Sequence, residues 1–180
     1  MNVPAGSAGE AGPSALRWLW LSLAIIALDQ ATKAVIVANF ELFERHALLP
    51  MLEITRLHNK GAAFSMLSDA SGWQQYFFLT LALAVSVAIA VWLRVLKLAR
   101  SKALASGLSL IVGGALGNAI DRVARGHVVD FIHVHWFESW YFPAFNVADS
   151  AITVGACLVI LDALLDYRRT PPAAPPPGTT

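Results

Sequence analysis

Four long apolar runs, separated by two mixed segments and one basic loop, organise the chain. The first, Leu16–Val37, suits a bilayer-crossing helix, which takes about 20 residues for roughly 30 Å of hydrocarbon. Arg17, Trp18 and Trp20 mark its first interface, and Lys33 is placed to snorkel to the second. Asp29-Gln30 interrupts the run and no small-x-small cleavage signal follows, so it reads as a retained span. Ala38–Gly72 is mixed, and within it Leu52–Leu57 carries the loose period-two alternation of a short strand. Trp73–Leu93 is the second span, opened by Trp73, Tyr76, Phe77 and Phe78. Ala103–Ile120 is the third, with Gly113 and Gly117 as a small-xxx-small pair that lets a neighbouring helix approach. Arg122–Phe145 is the second mixed segment, ending in the aromatic stretch Trp136–Phe145, and Ala148–Leu165 is the fourth span.

The pattern predicts an all-α membrane protein of four transmembrane helices with a small β-containing extramembrane segment on one side. A polar tail over 1–15 is expected to be disordered, residues 16–167 to form one four-span domain with extramembrane segments at about 38–72 and 122–147, and 168–180 to be a Pro-rich tail. Composition agrees: 57% of residues are hydrophobic and 14% charged, with a mean hydropathy of +0.58, where soluble domains average about a quarter charged. A net charge of +1 gives no reason to expect nucleic acid as a partner. Cys157 is the single cysteine, which excludes an internal disulfide, and its apolar setting reads as a small buried hydrophobe. Arg94, Lys97, Arg100 and Lys102 make the short middle loop densely basic, which puts it and both termini in the cytoplasm and both mixed segments outside.

Against this apolar background the carboxylates stand out. Asp29 lies inside a span, Asp121 closes the third, Asp149 opens the fourth, and Asp130 lies in the connection between those two. An ionisable group at bilayer depth costs at least about 2.5–3.5 kcal/mol, so such residues are usually functional. Gly114, Asn118 and Asp121 share one helix face, and Asn118, Asp121 and Arg122 are suited to a polar cluster at the end of the span. Asn146 precedes Asp149 by one helical turn at a helix start, where it would cap free N–H groups. Two carboxylates sharing one proton supply both the acid and the base for amide hydrolysis, which is the functional reading of Asp130 with Asp149. The plainer reading makes Asp149 an N-cap and Asp130 a turn residue. Ser65, Ser68 and Ser150 show no legible serine triad, though spacing leaves a serine-lysine pair open, and His127, His133 and His135 lack a zinc-binding pattern. Intramembrane acids also suit a proton relay or small transporter, whose ionisable groups should spread through the bilayer, and a purely structural adaptor is a further alternative. Asn59-Lys60-Gly61-Ala62-Ala63-Phe64 reads as a turn or as a loop laid against an extended ligand.

Five blocks occur in order: Leu28–Lys33, Asn59–Phe64, Gly113–Arg122, Gly126–Phe131 and Phe145–Asp149. Together they resemble the bacterial lipoprotein signal peptidases (signal peptidase II), over roughly Arg17 to Tyr167. The resemblance implies an aspartic endopeptidase of the bacterial inner membrane, with its site near the periplasmic leaflet. It would cut signal peptides from prolipoproteins just before a diacylglyceryl-modified cysteine. It further implies Asp130 and Asp149 as the catalytic pair, and Asp29, Lys33, Asn59, Gly61, Phe64, Asn118, Asp121, Arg122 and Asn146 as substrate-binding or supporting residues. Asn118 and Asn146 would orient the carboxylates and Arg122 would hold Asp121. No metal and no organic cofactor is implied; membrane lipid and the inhibitor globomycin are expected partners, and a monomer suffices for the chemistry.

Overall fold

The computed structural model describes residues 14–61, 72–96, 102–137 and 139–169. A 3-10 turn, η1 (Ala15–Trp18), leads into α1 (Leu19–Asn39), followed by strands β1 (Arg45–Leu49) and β2 (Leu52–Asn59). Then come α2 (Trp73–Val95), α3 (Lys102–Arg125), β3 (Val128–Trp136), the short β4 (Trp140–Tyr141) and α4 (Val147–Arg169). All four helical stretches are long and apolar enough to cross a membrane.

Ser14 and Ala15, placed in the polar tail by composition, are packed against the end of α2. The Ser14 hydroxyl donates to Leu93 O, the Ala15 N–H donates to Leu96 O at 3.2 Å, and Ala15 is fully buried, which ties the start of the chain to α2. The third span is longer than its apolar run. Asp121 lies inside α3 rather than at its end, because Arg125 pairs with it one turn later and the helix stops only at Gly126 (φ +71°). Cys157 sits on the exposed face of α4, not in a protein core: an apolar span satisfies such a residue with lipid.

α3 is the central helix, and its small residues explain why. On one face a methyl at Gly113 would stand 3.0 Å from Ser22 O and one at Gly117 would stand 2.8 Å from the Asp29 carboxylate, so the pair admits α1 as expected. A second stripe admits α4: a methyl at Gly114 would stand 2.3 Å from Ala148 O, and Gly107 packs against Gly155. The Ser22 hydroxyl fixes the first contact by donating to Ser109 O at 2.7 Å. α2 packs on a third side of α3, where Ile89 and Leu93 meet Leu104 and Leu108.

The strands form one antiparallel sheet in the order β1-β2-β3-β4, over the end of the bundle where α1 finishes and α4 begins. Val129 and Phe131 turn one face of β3 onto Ile36, Val37 and Phe40 of the α1 end. Trp136, Phe137, Trp140 and Phe142 are exposed at the far edge, a composition suited to a membrane interface.

Candidate active site

Asp130 is a strand residue rather than a turn residue. Since Val129 and Phe131 face α1, the period-two pleat turns Asp130 to the opposite face. Asn59 pairs with Val128 across the ladder and therefore lies diagonally beside Asp130 on that face. Its Nδ2 donates to Asp130 Oδ2 at 3.0 Å, while its Oδ1 accepts the Gly61 N–H at 2.8 Å, which fixes the amide orientation. Asn146 Nδ2 donates to the other oxygen, Asp130 Oδ1, at 2.7 Å.

Asp149 is placed by the start of α4. Asn146 is the N-cap: its Oδ1 accepts the Asp149 N–H at 3.0 Å, and Asp149 Oδ2 accepts the Asn146 N–H at 3.2 Å, a reciprocal capping box. Asn118 Nδ2 donates to Asp149 Oδ1 at 2.7 Å. The Asn118 oxygen is taken by Lys33 Nζ at 2.8 Å and by Asn146 Nδ2 at 3.2 Å, so its nitrogen must face Asp149. Each oxygen of both carboxylates thus receives one amide N–H, and Asn146 donates to both residues.

Behind the pair lies a dry ionic core. Lys33 Nζ stands 2.8 Å from Asp29 Oδ2 and 3.0 Å from Asp121 Oδ2, with all three side chains fully buried. Lys33 therefore does not snorkel as its position near the end of the span suggested; two carboxylates and an amide oxygen hold it inside. Asp29 Oδ1 accepts the Ala148 N–H at 3.0 Å, capping the first turn of α4 from a different helix. Asp121 accepts the Val129 N–H at 3.1 Å, tying α3 to the strand that carries Asp130, and it pairs with Arg125. Gln30 Nε2 bridges Asp29 and Asp121 at 3.2 and 3.1 Å.

Arg122 does not hold Asp121; Arg125 does. Adjacent helix positions diverge, whereas residues four apart share a face. Arg122 instead donates to Asn118 O at 3.3 Å, lies 5.2 Å over the Phe78 ring, and feels the charges of Asp149, Asp130 and Asp121. The cluster holds four carboxylates (Asp29, Asp121, Asp130, Asp149) and three cations (Lys33, Arg122, Arg125), so it is neutral when the Asp130–Asp149 pair retains one proton. Burial, followed by the neighbouring Asp149 charge, pushes the Asp130 carboxyl up to about 7, against the pull of the Asn59 and Asn146 hydrogen bonds and of Lys33. Asp130 is therefore a group able to hold or release a proton near neutral pH.

Of the residues singled out in the sequence, Asp29, Lys33, Asn59, Asn118, Asp121, Asn146, Asp130 and Asp149 fall into one hydrogen-bonded network. Gly61 joins through Asn59 and packs under Phe78, and Phe64 lies outside the described residues, as do Ser65 and Ser68. The histidines are dispersed: His127 stacks on His58, His133 bonds Glu53 at 2.6 Å, and His135 bonds Phe137 O. Gln30 and Arg125 were missed, although Arg125 carried a signal in its spacing from Asp121.

Four spanning-length helices, with two carboxylates bonded to common amides at one end of the bundle, define a polytopic membrane protein with a buried acid pair. The sequence profile of the family described as "Signal peptidase (SPase) II" matches residues 21–165. The chain is 52% identical over 149 residues to the lipoprotein signal peptidase of Pseudomonas fluorescens (strain Pf0-1), covering 82% of this chain and 86% of that protein. It is 50% identical over 152 residues to that of Shewanella woodyi, covering 84% and 85%. A bacterial membrane enzyme solved by the in meso method at 2.3 Å superposes with a TM-score of 0.73 at 30% identity, over 89% of this chain and 94% of that one. The chain belongs to the signal peptidase II family and is a multi-pass membrane peptidase.

Proposed function

We propose that the protein is an aspartic endopeptidase that removes signal peptides from diacylglyceryl-modified prolipoproteins, cutting before the lipidated cysteine. The observation that supports this most is Asn146, whose side chain and backbone N–H donate to Asp130 and Asp149 respectively. Two carboxylates tied to one residue, one of them titrating near neutrality, suit water activation. In this reading one carboxylate takes a proton from water as its oxygen attacks the scissile carbonyl, and the other donates its proton to the carbonyl oxygen. The tetrahedral species then collapses, the C–N bond breaks, and the leaving nitrogen takes a proton from the pair. The pair titrates as a unit, so the initial proton belongs to both. Asn59, Asn118 and Asn146 orient the carboxylates; Lys33, Asp29 and Asp121 hold the elements that carry them. The reaction requires no metal or organic cofactor.

The basic loop between α2 and α3 argues for a cytoplasmic position, which puts the sheet and the acid pair on the periplasmic side of the bacterial inner membrane and both termini inside. Globomycin is then an inhibitor that competes for the same cleft, and a monomer suffices. The test is cleavage of a synthetic prolipoprotein peptide by purified protein in detergent, read by mass spectrometry. A product beginning with the diacylglyceryl-cysteine is expected. Equal cleavage of the unlipidated peptide, or a cut elsewhere, would refute the assignment.

A further inference from the structure

Asp121 is the junction of the buried network. Its Oδ2 accepts Lys33 Nζ at 3.0 Å and the Val129 N–H at 3.1 Å. Its Oδ1 accepts Arg125 Nη1, and also Gln30 Nε2 at 3.1 Å. Gln30 is held on both sides: Nε2 also reaches Gly117 O at 3.1 Å and Asp29 Oδ2 at 3.2 Å, while Oε1 accepts Arg125 Nη1 at 3.3 Å. The guanidinium therefore closes a chain of alternating charge, Arg125–Asp121–Lys33–Asp29, with the Gln30 amide lying along it. The other three side chains are fully buried, whereas 28% of the Arg125 side chain remains exposed.

Charge gives this arm a role beyond its contacts. Two carboxylates around Lys33 leave the core with one negative charge in excess, and Arg125 cancels it. Arg122, which feels Asp149 and Asp130, is then left to balance a pair that carries a single negative charge. Without Arg125 the excess stays behind β3, since Asp121 bonds the residue before Asp130. A carboxylate pair beside an uncancelled negative charge binds its protons more tightly.

We propose that Arg125, seated by Gln30, is a positioning residue that fixes at one the number of protons on the Asp130–Asp149 pair. The inference rests on the function proposed above. The competing role is that of a basic residue in the last turn of α3, which favours the helix dipole and ties down Asp121 without touching the protons of the pair. Facing the pair are Lys33 and Asp29 of α1 and Arg122 of α3. Facing Arg125 are Asp121 and His127, with His58 stacked on His127 and Arg56 near both rings.

The experiment is the pH profile of kcat/KM on a diacylglyceryl prolipoprotein peptide. Arg125→Gln keeps a donor and removes the charge, so both limbs of the bell should move to higher pH. A unit charge about 10 Å away, at an effective dielectric of about 20, moves them by about one pH unit. Arg125→Lys restores the charge and should return the limbs to their wild-type positions. Gln30→Met keeps every charge but unseats the guanidinium; it should shift the limbs the same way by less, an answer that does not depend on how R125Q folds. Arg45→Gln removes an exposed cation paired with Glu53, outside the network, and should leave the limbs in place. In a His127→Phe background, which removes the neighbouring titration, R125Q should produce the same shift. Limbs unmoved in R125Q or Q30M, an equal shift in R125K or R45Q, or loss of the shift in the His127→Phe background would overturn the proposal. The displacement is also readable without turnover, in the pH window over which each protein and its Asp130→Asn counterpart diverge in melting temperature. R125Q should move that window up by about one unit, and an unmoved window would equally overturn the proposal. A displaced window in a wild-type protein that cleaves no lipopeptide would refute the peptidase assignment and leave the hold of Arg125 on the pair standing.

Discussion

Asp130→Asn tests whether the acid pair stores a proton at a cost to folding. The wild-type carboxyl is pushed from an ordinary 3.8 to about 7, so the folded protein holds this proton more tightly than the unfolded chain. The stability this contributes is fully present below about pH 4 and lost as the pH rises through about 7. At about 1.4 kcal/mol per tenfold change, roughly 3 kcal/mol disappears between pH 5 and pH 8. The asparagine carries no proton to lose. It also turns one N–H toward Asn59 or Asn146, both of which donate to this position, at a cost of about 1–3 kcal/mol that does not depend on pH. The slope of the difference between the two proteins is therefore the signal, and groups outside the Asp130–Asp149 pair cancel. Thermal unfolding in detergent, followed by tryptophan fluorescence, should show the variant gaining on wild type by about 6–12 °C from pH 5 to pH 8. Parallel curves, or a variant that loses ground to wild type as the pH rises from 5 to 8, would refute the reasoning.

Asn146→Ser keeps a hydroxyl that accepts the Asp149 N–H but loses the donor to Asp130. Stability should fall by about 1–3 kcal/mol, the cost of an unpaired buried acceptor, and kcat of the folded protein should fall a further 10- to 100-fold, about the value of a hydrogen bond to a charged group; wild-type kcat in the folded variant would reduce Asn146 to a cap. Lys33→Met leaves Asp29 and Asp121 facing each other without their shared cation. It should destabilise the protein by about 3–5 kcal/mol, and a near-wild-type melting temperature would contradict the ionic core. Gly114→Ala puts a methyl 2.3 Å from Ala148 O, a backbone atom that cannot rotate away, so the first turn of α4 must shift with Asp149 on it. A stability loss of about 1–3 kcal/mol with a larger proportional loss of activity is expected, and wild-type kinetics would show that α4 has slack there.

The spans were legible because a bilayer demands long uninterrupted apolar runs, and the acids were legible because such runs make them conspicuous. Asn146 was readable as a cap from its spacing to Asp149. Lys33 was not: a lysine near the end of a span looks the same whether it snorkels or is buried, and only its four-residue spacing from Asp29 hinted at the ion pair. Asn59 reaches Asp130 through the register of β2 on β3, including a bulge between Ile54 and Leu57, and register is a tertiary property. The stripe of Gly107 facing Gly155 and Gly114 facing Ala148 was hidden for a similar reason, since its partners lie on another helix. Asp121 seemed to belong with Arg122 because the apolar run stops at Ile120, yet α3 continues another turn to Arg125.

Cleavage rates of a diacylglyceryl prolipoprotein peptide by Asp130→Asn and Asp149→Asn, each compared with folded wild-type protein, probe the acid pair most directly. If both carboxylates act on the water and the scissile carbonyl, each variant should lose about a thousandfold or more in kcat while still folding, in keeping with the roughly 10²–10⁴-fold that a single general acid or base contributes. Either variant working within tenfold of wild type would remove that aspartate from the chemistry and the pair with it.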